Sequence, residues 1–273
     1  MKPRSNKKEV VLQSAKFPRS KKLYSLASGI QWGILLAAIA ILGAGGKGKR
    51  MGAGKNKCLM ELLGKPIISW TALVFERCAE IGKIIVVCGE GEEEEFKTEL
   101  GKEGITKLVS ITQGGNERQD SMWNGLREAG KAGAKKGDLI LFHNGANPLV
   151  LQEEILEGMK AAKEFGASVL AQPCKDTIKT VNEKTLLVKK TLNRKELWAM
   201  QTPQIIEYEL AMKAFGKAME EKFYGTDDVQ LVERYGGKVK IVQCGYENIR
   251  LVTPDDIIFA ERVMEKRRHA LSK

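Results

Sequence analysis

The chain has 273 residues, 43% hydrophobic and 29% charged, which suits one domain with a full core and excludes collagen-like, disulfide-scaffold and wholly disordered classes. Its net charge of +11 points at first to a nucleic-acid partner. Residues 1–22, however, hold eight Lys or Arg against the single Glu9, leaving +4 for the rest, so polyanion binding is expected at most as a property of the tail.

Residues 1–30 are polar and basic, with Pro3 and Pro18 and no sustained period. They read as a flexible extension, or as an upstream mis-start of the reading frame, ahead of one domain over 31–273. The run Gly33–Ala44 is apolar throughout. It is too short to span a bilayer, which takes about 20 residues. A basic segment before an apolar run leaves a signal peptide open. Because the run leads straight into a glycine loop, a buried first strand over Ile34–Leu42 is the favoured reading.

Apolar spacing then predicts a helix over Ile67–Ala79 and a β-branched strand over Lys83–Cys88. An acidic helix follows over Glu92–Lys102, a strand over Val109–Thr112 and a helix over Arg118–Ala129. Asp138–Phe142 reads as a buried strand, Gln152–Phe165 as a helix and Ala167–Ala171 as a strand. This alternation implies an α/β fold, a mostly parallel sheet with right-handed crossovers and helices on its faces. Ligands in such folds bind beyond the carboxyl ends of the strands. Residues 174–203 break the rhythm. Lys179–Val188 and Lys189–Leu192 suit an extended hairpin, either an oligomerisation arm or a plain surface loop.

Five scattered cysteines without a CxxC, and His143 and His269 far apart, argue against a zinc site or disulfide framework and for a reducing cytoplasm.

Chemistry concentrates in the loops. Ala44-Gly45-Gly46-Lys47-Gly48-Lys49-Arg50-Met51 follows the first strand, and Lys57 lies a few residues on. Glycines let backbone N–H groups approach a phosphate, and the cations add charge; a glycine turn with solvated lysines is the plainer alternative. The spacing is not that of a P-loop. Gly114-Gly115-Asn116-Glu117-Arg118-Gln119-Asp120-Ser121 opens a helix, whose N-terminus favours anions. Asn116 or Asp120 also suits a simple N-cap, while Arg118, set against the helix dipole, calls for a ligand or an acidic neighbour. His143-Asn144-Gly145-Ala146-Asn147-Pro148 follows the buried strand and is either a site loop or a turn. Arg194 and Arg250 suit bidentate phosphate clamps, and Thr226-Asp227-Asp228 suits a helix start more than a metal site.

The ordered set AGGKGKRM, Lys57, GGNERQDS, HNGANP, PCKDTIK, LWAMQTPQ and NIRLVTPDD, over residues 34–265, resembles the 2-C-methyl-D-erythritol 4-phosphate cytidylyltransferases of isoprenoid precursor synthesis. The resemblance implies a Rossmann-like sheet with a projecting β-arm, a homodimer formed through that arm, CTP and a small sugar phosphate as substrates, and Mg²⁺ as cofactor. It implies catalytic roles for Arg50 and Lys57. Ala44, Gly45, Gly46 and Gly48 would bind the CTP triphosphate, and Gly115, Asn116, Arg118 and Ser121 the cytosine and ribose. Asn144, Thr177, Arg194, Thr202 and Arg250 would hold the sugar phosphate, with the arm reaching the neighbour's site.

The chain departs from the family pattern at HNGANP, where HDAARP is usual. Asn144 replaces an aspartate associated with metal and substrate, and Asn147 an arginine. Asn keeps an acceptor oxygen but loses the charge, which weakens a magnesium ligand. Asn116 stands for a common aspartate, Arg250 for a lysine and Gly45 for an alanine. Two alternatives remain at this level: transfer to ribitol 5-phosphate or another polyol phosphate, and a non-catalytic nucleotide-binding relative.

Overall fold

A computed structural model describes residues 38–46 and 56–271. The expected extension and residues 34–37 of the expected first strand lie outside them.

Seven strands form the main sheet. In chain order they are β1 (Ala38–Gly43), β4 (Ile81–Cys88), β5 (Leu108–Gln113), β6 (Leu139–Asn144), β7 (Ala167–Pro173), β10 (Trp198–Glu207) and β11 (Val239–Gln243). Two short strands, β2 (Glu61–Leu62) and β3 (Lys65–Pro66), pair with each other. So do β8 (Lys179–Val181) and β9 (Val188–Thr191), which make the hairpin of the arm. The spatial order is β11-β7-β10-β6-β1-β4-β5, and only β10 runs antiparallel to its neighbours. Helices α1 (Ile67–Arg77), α2 (Glu93–Lys102), α3 (Arg118–Lys131), α4 (Gln152–Phe165), α5 (Tyr208–Glu220), α6 (Val229–Arg234) and α7 (Pro254–Leu271) cover the faces.

Alternation along β1 shows why both faces are needed. Ala38, Ala40 and Leu42 enter one core with Phe75, Phe96 and Ile155, while Ile39 and Ile41 enter the other with Leu126 and Phe215. Gly125 lets α3 close onto the sheet: a Cβ there would lie 2.5 Å from Ile41 and 2.9 Å from Val87.

The expected α/β plan is present, and α4 has the expected bounds. Differences elsewhere have local causes. α1 stops at Arg77 rather than Ala79, because the Cys78 N–H turns to the Phe75 carbonyl. The arm's turn falls at residues 182–187, not between Val188 and Lys189. There Asn182 Oδ1 accepts from the N–H groups of Lys184 and Thr185. Residues 198–203 are not arm but the start of β10, paired with β7 from Trp198 opposite Pro173. With only β10 reversed, all six other strands end at one edge of the sheet, and that edge carries the site.

Candidate active site

A cavity of about 310 Å³ opens at the carboxyl ends of β1 and β6. Its walls come from five separated stretches: Gly45 and Gly46 after β1, Lys57 and Cys58, residues 115–118 with Ser121, Asn144 with Ala146, and Arg250.

The first wall is the turn after β1. The Ala44 N–H donates to the Val87 carbonyl at 2.7 Å and its carbonyl accepts from Asn56. Both backbone groups of Ala44 are thus used within the protein, and Ala44 itself does not line the cavity. A Cβ at Gly45 would sit 3.3 Å from the Cys88 carbonyl oxygen, a close approach that alanine could take only if that carbonyl shifted by a few tenths of an ångström. Gly48 and Arg50 lie outside the described residues. Lys57 leads a one-turn 3-10 helix, Lys57–Leu59, capped by Asn56. Its Nζ donates to the Leu251 carbonyl at 3.1 Å.

The second wall is the start of α3. Gly115 is required there, because a Cβ would lie 2.3 Å from that of Asp120. The N-cap is Glu117, not Asn116 or Asp120; Asp120 completes a capping box by accepting from the Glu117 N–H at 3.0 Å. Ser121 Oγ accepts from the Gly115 N–H at 3.0 Å. Arg118 has the acidic neighbour that its position called for. Its guanidinium binds Asp228 bidentately, and that carboxylate raises its pKa further.

The third wall follows β6. Asn144 makes long contacts with the Thr202 hydroxyl, 3.4 Å from its N–H and 3.5 Å from its amide nitrogen. Thr202 is buried behind Asn144 and does not line the cavity. Asn147 is fully buried with no hydrogen-bond partner on either side-chain atom. His143, also fully buried, has its pKa lowered to about 4 by desolvation. Burial pushes the Cys58 thiol up to about 12. A neutral imidazole and a protonated thiol leave neither group suited to proton transfer or nucleophilic attack here.

Thr177 and Arg194 are exposed at the base of the arm, and Arg194 donates to the Lys175 carbonyl at 2.9 Å. Within one chain they do not reach the cavity. Asp227 accepts from the Gln230 N–H at 2.9 Å, the helix-start role expected of the TDD motif, whereas Asp228 serves Arg118. Among the described residues no group of three or more His, Cys, Asp or Glu could hold a metal. No described helix is long and apolar enough to cross a membrane.

Sequence reasoning missed Asn56, Cys58 and Met122 near or in the walls. None has a signal in a motif. The assembled groups are cations (Lys57, Arg118, Arg250), a helix N-terminus and glycine backbone, without a side chain poised for covalent or acid–base work. Such a set is suited to holding polyphosphate and stabilising charge on phosphoryl oxygens.

Comparison with known proteins agrees. The model of the family IspD: 2-C-methyl-D-erythritol 4-phosphate cytidylyltransferase matches residues 38–266. The chain is 42% identical over 229 residues to the protein of that name from Geobacillus kaustophilus (strain HTA426), covering 84% of this chain and 97% of the relative. It is 43% identical over 228 residues to the Bacillus velezensis protein of the same name, covering 83% and 95%. The crystal structure of 4-diphosphocytidyl-2C-methyl-D-erythritol synthase from Anaerococcus prevotii superposes with a TM-score of 0.73 at 29% identity, covering 85% of this chain and 97% of that one. The Francisella tularensis cytidylyltransferase structure superposes with a TM-score of 0.70 at 26% identity, covering 83% and 99%.

Proposed function

The chain belongs to the 2-C-methyl-D-erythritol 4-phosphate cytidylyltransferase family, and from that premise we infer that it transfers the cytidylyl group of CTP to 2-C-methyl-D-erythritol 4-phosphate, releasing pyrophosphate. One observation carries the inference at the site: motifs far apart in sequence converge on a single cationic cavity at the sheet's carboxyl edge.

The chemistry follows from the groups present. A phosphate oxygen of the acceptor attacks the α-phosphorus of CTP, a new P–O bond forms, and the bond from the α-phosphorus to the bridging oxygen breaks as pyrophosphate leaves. A phosphate monoester has its second pKa near about 6, so it is largely a dianion at neutral pH and needs no base. Catalysis is then positioning and charge stabilisation. In our reading Lys57, with Arg50, neutralises the triphosphate oxygens, and Gly45, Gly46 and Gly48 admit the phosphates. Gly115, Asn116, Arg118 and Ser121 hold the base and ribose. Asn144 and Arg250 face the acceptor, and the buried Thr202 hydroxyl supports Asn144 from behind.

When bound, Mg²⁺ would supply positive charge to the triphosphate, with the Asn144 amide oxygen the side-chain group placed to hold it. The described residues offer it little: Asn144 supplies a neutral amide oxygen, and Glu117, the one acid among the described cavity residues, is engaged at the start of α3. A magnesium ion commonly takes one or two protein oxygens beside phosphates and waters, so the site fits an ion carried chiefly by the nucleotide.

We also propose a homodimer in which the arm delivers Thr177 and Arg194 to the partner's cavity. Exposed Leu186, Leu187 and Val188 at its tip support this. The five unpaired cysteines support a reducing cytoplasm as its setting.

The test is pyrophosphate release from CTP with 2-C-methyl-D-erythritol 4-phosphate, run beside ribitol 5-phosphate. Release with the first acceptor is expected. Release with ribitol 5-phosphate alone would replace the acceptor, and CTP binding without turnover on either would make the chain a nucleotide-binding relative.

A further inference from the structure

Asn56 is almost fully buried and makes three hydrogen bonds to three separate segments beside the site. Its Nδ2 donates to the Ala44 carbonyl at 2.6 Å, at the end of β1, and to Glu92 Oε2 at 2.6 Å. Its Oδ1 accepts from the Cys58 N–H at 2.9 Å, inside the turn that carries Lys57. These partners fix the amide's orientation, since a flip would turn the oxygen toward two acceptors. Glu92 is anchored in turn: its Oε2 accepts from the Gly89 N–H at 2.8 Å, in a space that a Cβ on Gly89 would fill at 2.7 Å. The Lys57 side chain leaves this clamp toward the glycine turn, its Cε 3.8 Å from where a Gly46 Cβ would stand.

We propose that Asn56, braced by Glu92, is a positioning residue: it ties the Lys57 turn to the ends of β1 and β4 and so sets where the Lys57 ammonium meets the CTP triphosphate. The proposal rests on the reading of Lys57 as a triphosphate ligand. A flexible lysine works best at one point when its backbone is held, because a displacement of about 1 Å can cost on the order of 10²-fold in rate. Alanine or leucine at 56 would leave the Ala44 carbonyl and the Cys58 N–H without partners in a buried place.

The experiment is a double-mutant cycle over wild type, Asn56→Ala, Lys57→Ala and the double variant, with folding checked by circular dichroism. Alone, Asn56→Ala is expected to lower kcat/KM for CTP by about 10²-fold, with KM for the sugar phosphate little changed. In the Lys57→Ala background it should cost less than about twofold further. Equal losses in both backgrounds, or full activity of Asn56→Ala, overturn the positioning role. Full activity of Lys57→Ala instead overturns the reading of Lys57 on which it rests.

Should Asn56→Ala not fold, Asn56→Asp decides the matter. It sets a second carboxylate against Glu92, so the pair holds a proton and CTP affinity relative to wild type rises as pH falls. Adding Glu92→Gln remakes the side-chain hydrogen bond in the opposite sense and is expected to remove that pH dependence. A pH profile for Asn56→Asp that parallels wild type overturns the proposal.

Discussion

The Asp228 carboxylate accepts both terminal nitrogens of Arg118, at 2.9 and 2.5 Å, joining the start of α3 to the start of α6. Asp228 is almost wholly buried, and its N–H, with that of Val229, donates to Gln204 Oε1 at 2.8 and 3.0 Å. Arg118, which lines the cavity, is thus held by a carboxylate that is itself fixed by Gln204 of β10. Asp228→Asn keeps the shape but removes the charge and one acceptor. It is expected to raise KM for CTP with a smaller change in kcat, and to cost about 1–3 kcal/mol in chemical denaturation. An unchanged KM would separate Arg118 from nucleotide binding.

Lys57 lines the cavity beside Gly46, where the proposed function places the CTP triphosphate. If its charge acts on oxygens that gain charge in the transition state, as proposed, Lys57→Ala is expected to lower kcat by about 10²–10³-fold. Lys57→Arg should recover only part, since a planar fork does not replace a point charge. Pre-steady-state pyrophosphate release separates this effect from slow product release. A normal chemical rate in Lys57→Ala would refute the assignment.

The sequence exposed the parts of the fold that repeat and hid those that depend on distant partners. α4 was legible to its ends because Ile155, Met159 and Ala162 keep one apolar face and Gly166, at φ 88°, stops the helix. β10 was hidden because Gln201, Thr202, Pro203 and Gln204 look like a loop. The polar side chain of Gln204 survives burial there only by serving Asp227, Asp228 and Val229. α5 relies on Ala211, Ala214 and Ala218 around Phe215, a faint apolar stripe, and α6 is too short to show a period. At the site, glycine and cation motifs were readable because backbone approach and charge leave compositional marks. Asn56 leaves none: its role consists of hydrogen bonds to residues 12 and 36 positions away.

Asn144 places a neutral amide at the mouth of the site, 3.5 Å from the Thr202 hydroxyl. With no formal charge from this position, divalent cation should bind weakly until it arrives with CTP. Asn144→Asp is expected to lower the Mg²⁺ concentration for half-maximal pyrophosphate release by about tenfold, equivalent to about 1.4 kcal/mol. Equilibrium Mn²⁺ binding followed by paramagnetic resonance should tighten in the same sense. An unchanged metal requirement would place the cation away from this side chain.

His143 offers a pH signature in stability. Burial lowers its pKa to about 4, whereas the unfolded chain restores a value near about 6.5. Between those values the unfolded state binds the extra proton, so stability rises with pH. This contribution is complete above about 6.5 and is lost as pH falls toward 4, by roughly 3 kcal/mol at the limit. His143→Gln should remove it, so the gap between the stabilities of variant and wild type changes across pH 4–6.5 and is flat above. A constant gap would mean that His143 is not buried neutral.

The arm supplies the sharpest test of quaternary structure. Thr177 and Arg194 stay outside their own chain's cavity, yet the tip of the arm exposes Leu186 and Leu187 at 74% and 69%. If the arm serves the partner's site, Lys57→Ala and Arg194→Ala damage different halves of a shared centre. Each homodimer is then inactive, but a heterodimer of the two holds one site with both residues intact. Random pairing after co-expression makes half the dimers hybrid, each with one of its two sites restored, so about a quarter of wild-type activity is expected. A site built within one chain would give no recovery, because every copy would carry one defect. Leu186→Ser with Leu187→Ser should weaken the dimer in sedimentation and lower activity at low protein concentration, which ties the recovered activity to the arm itself.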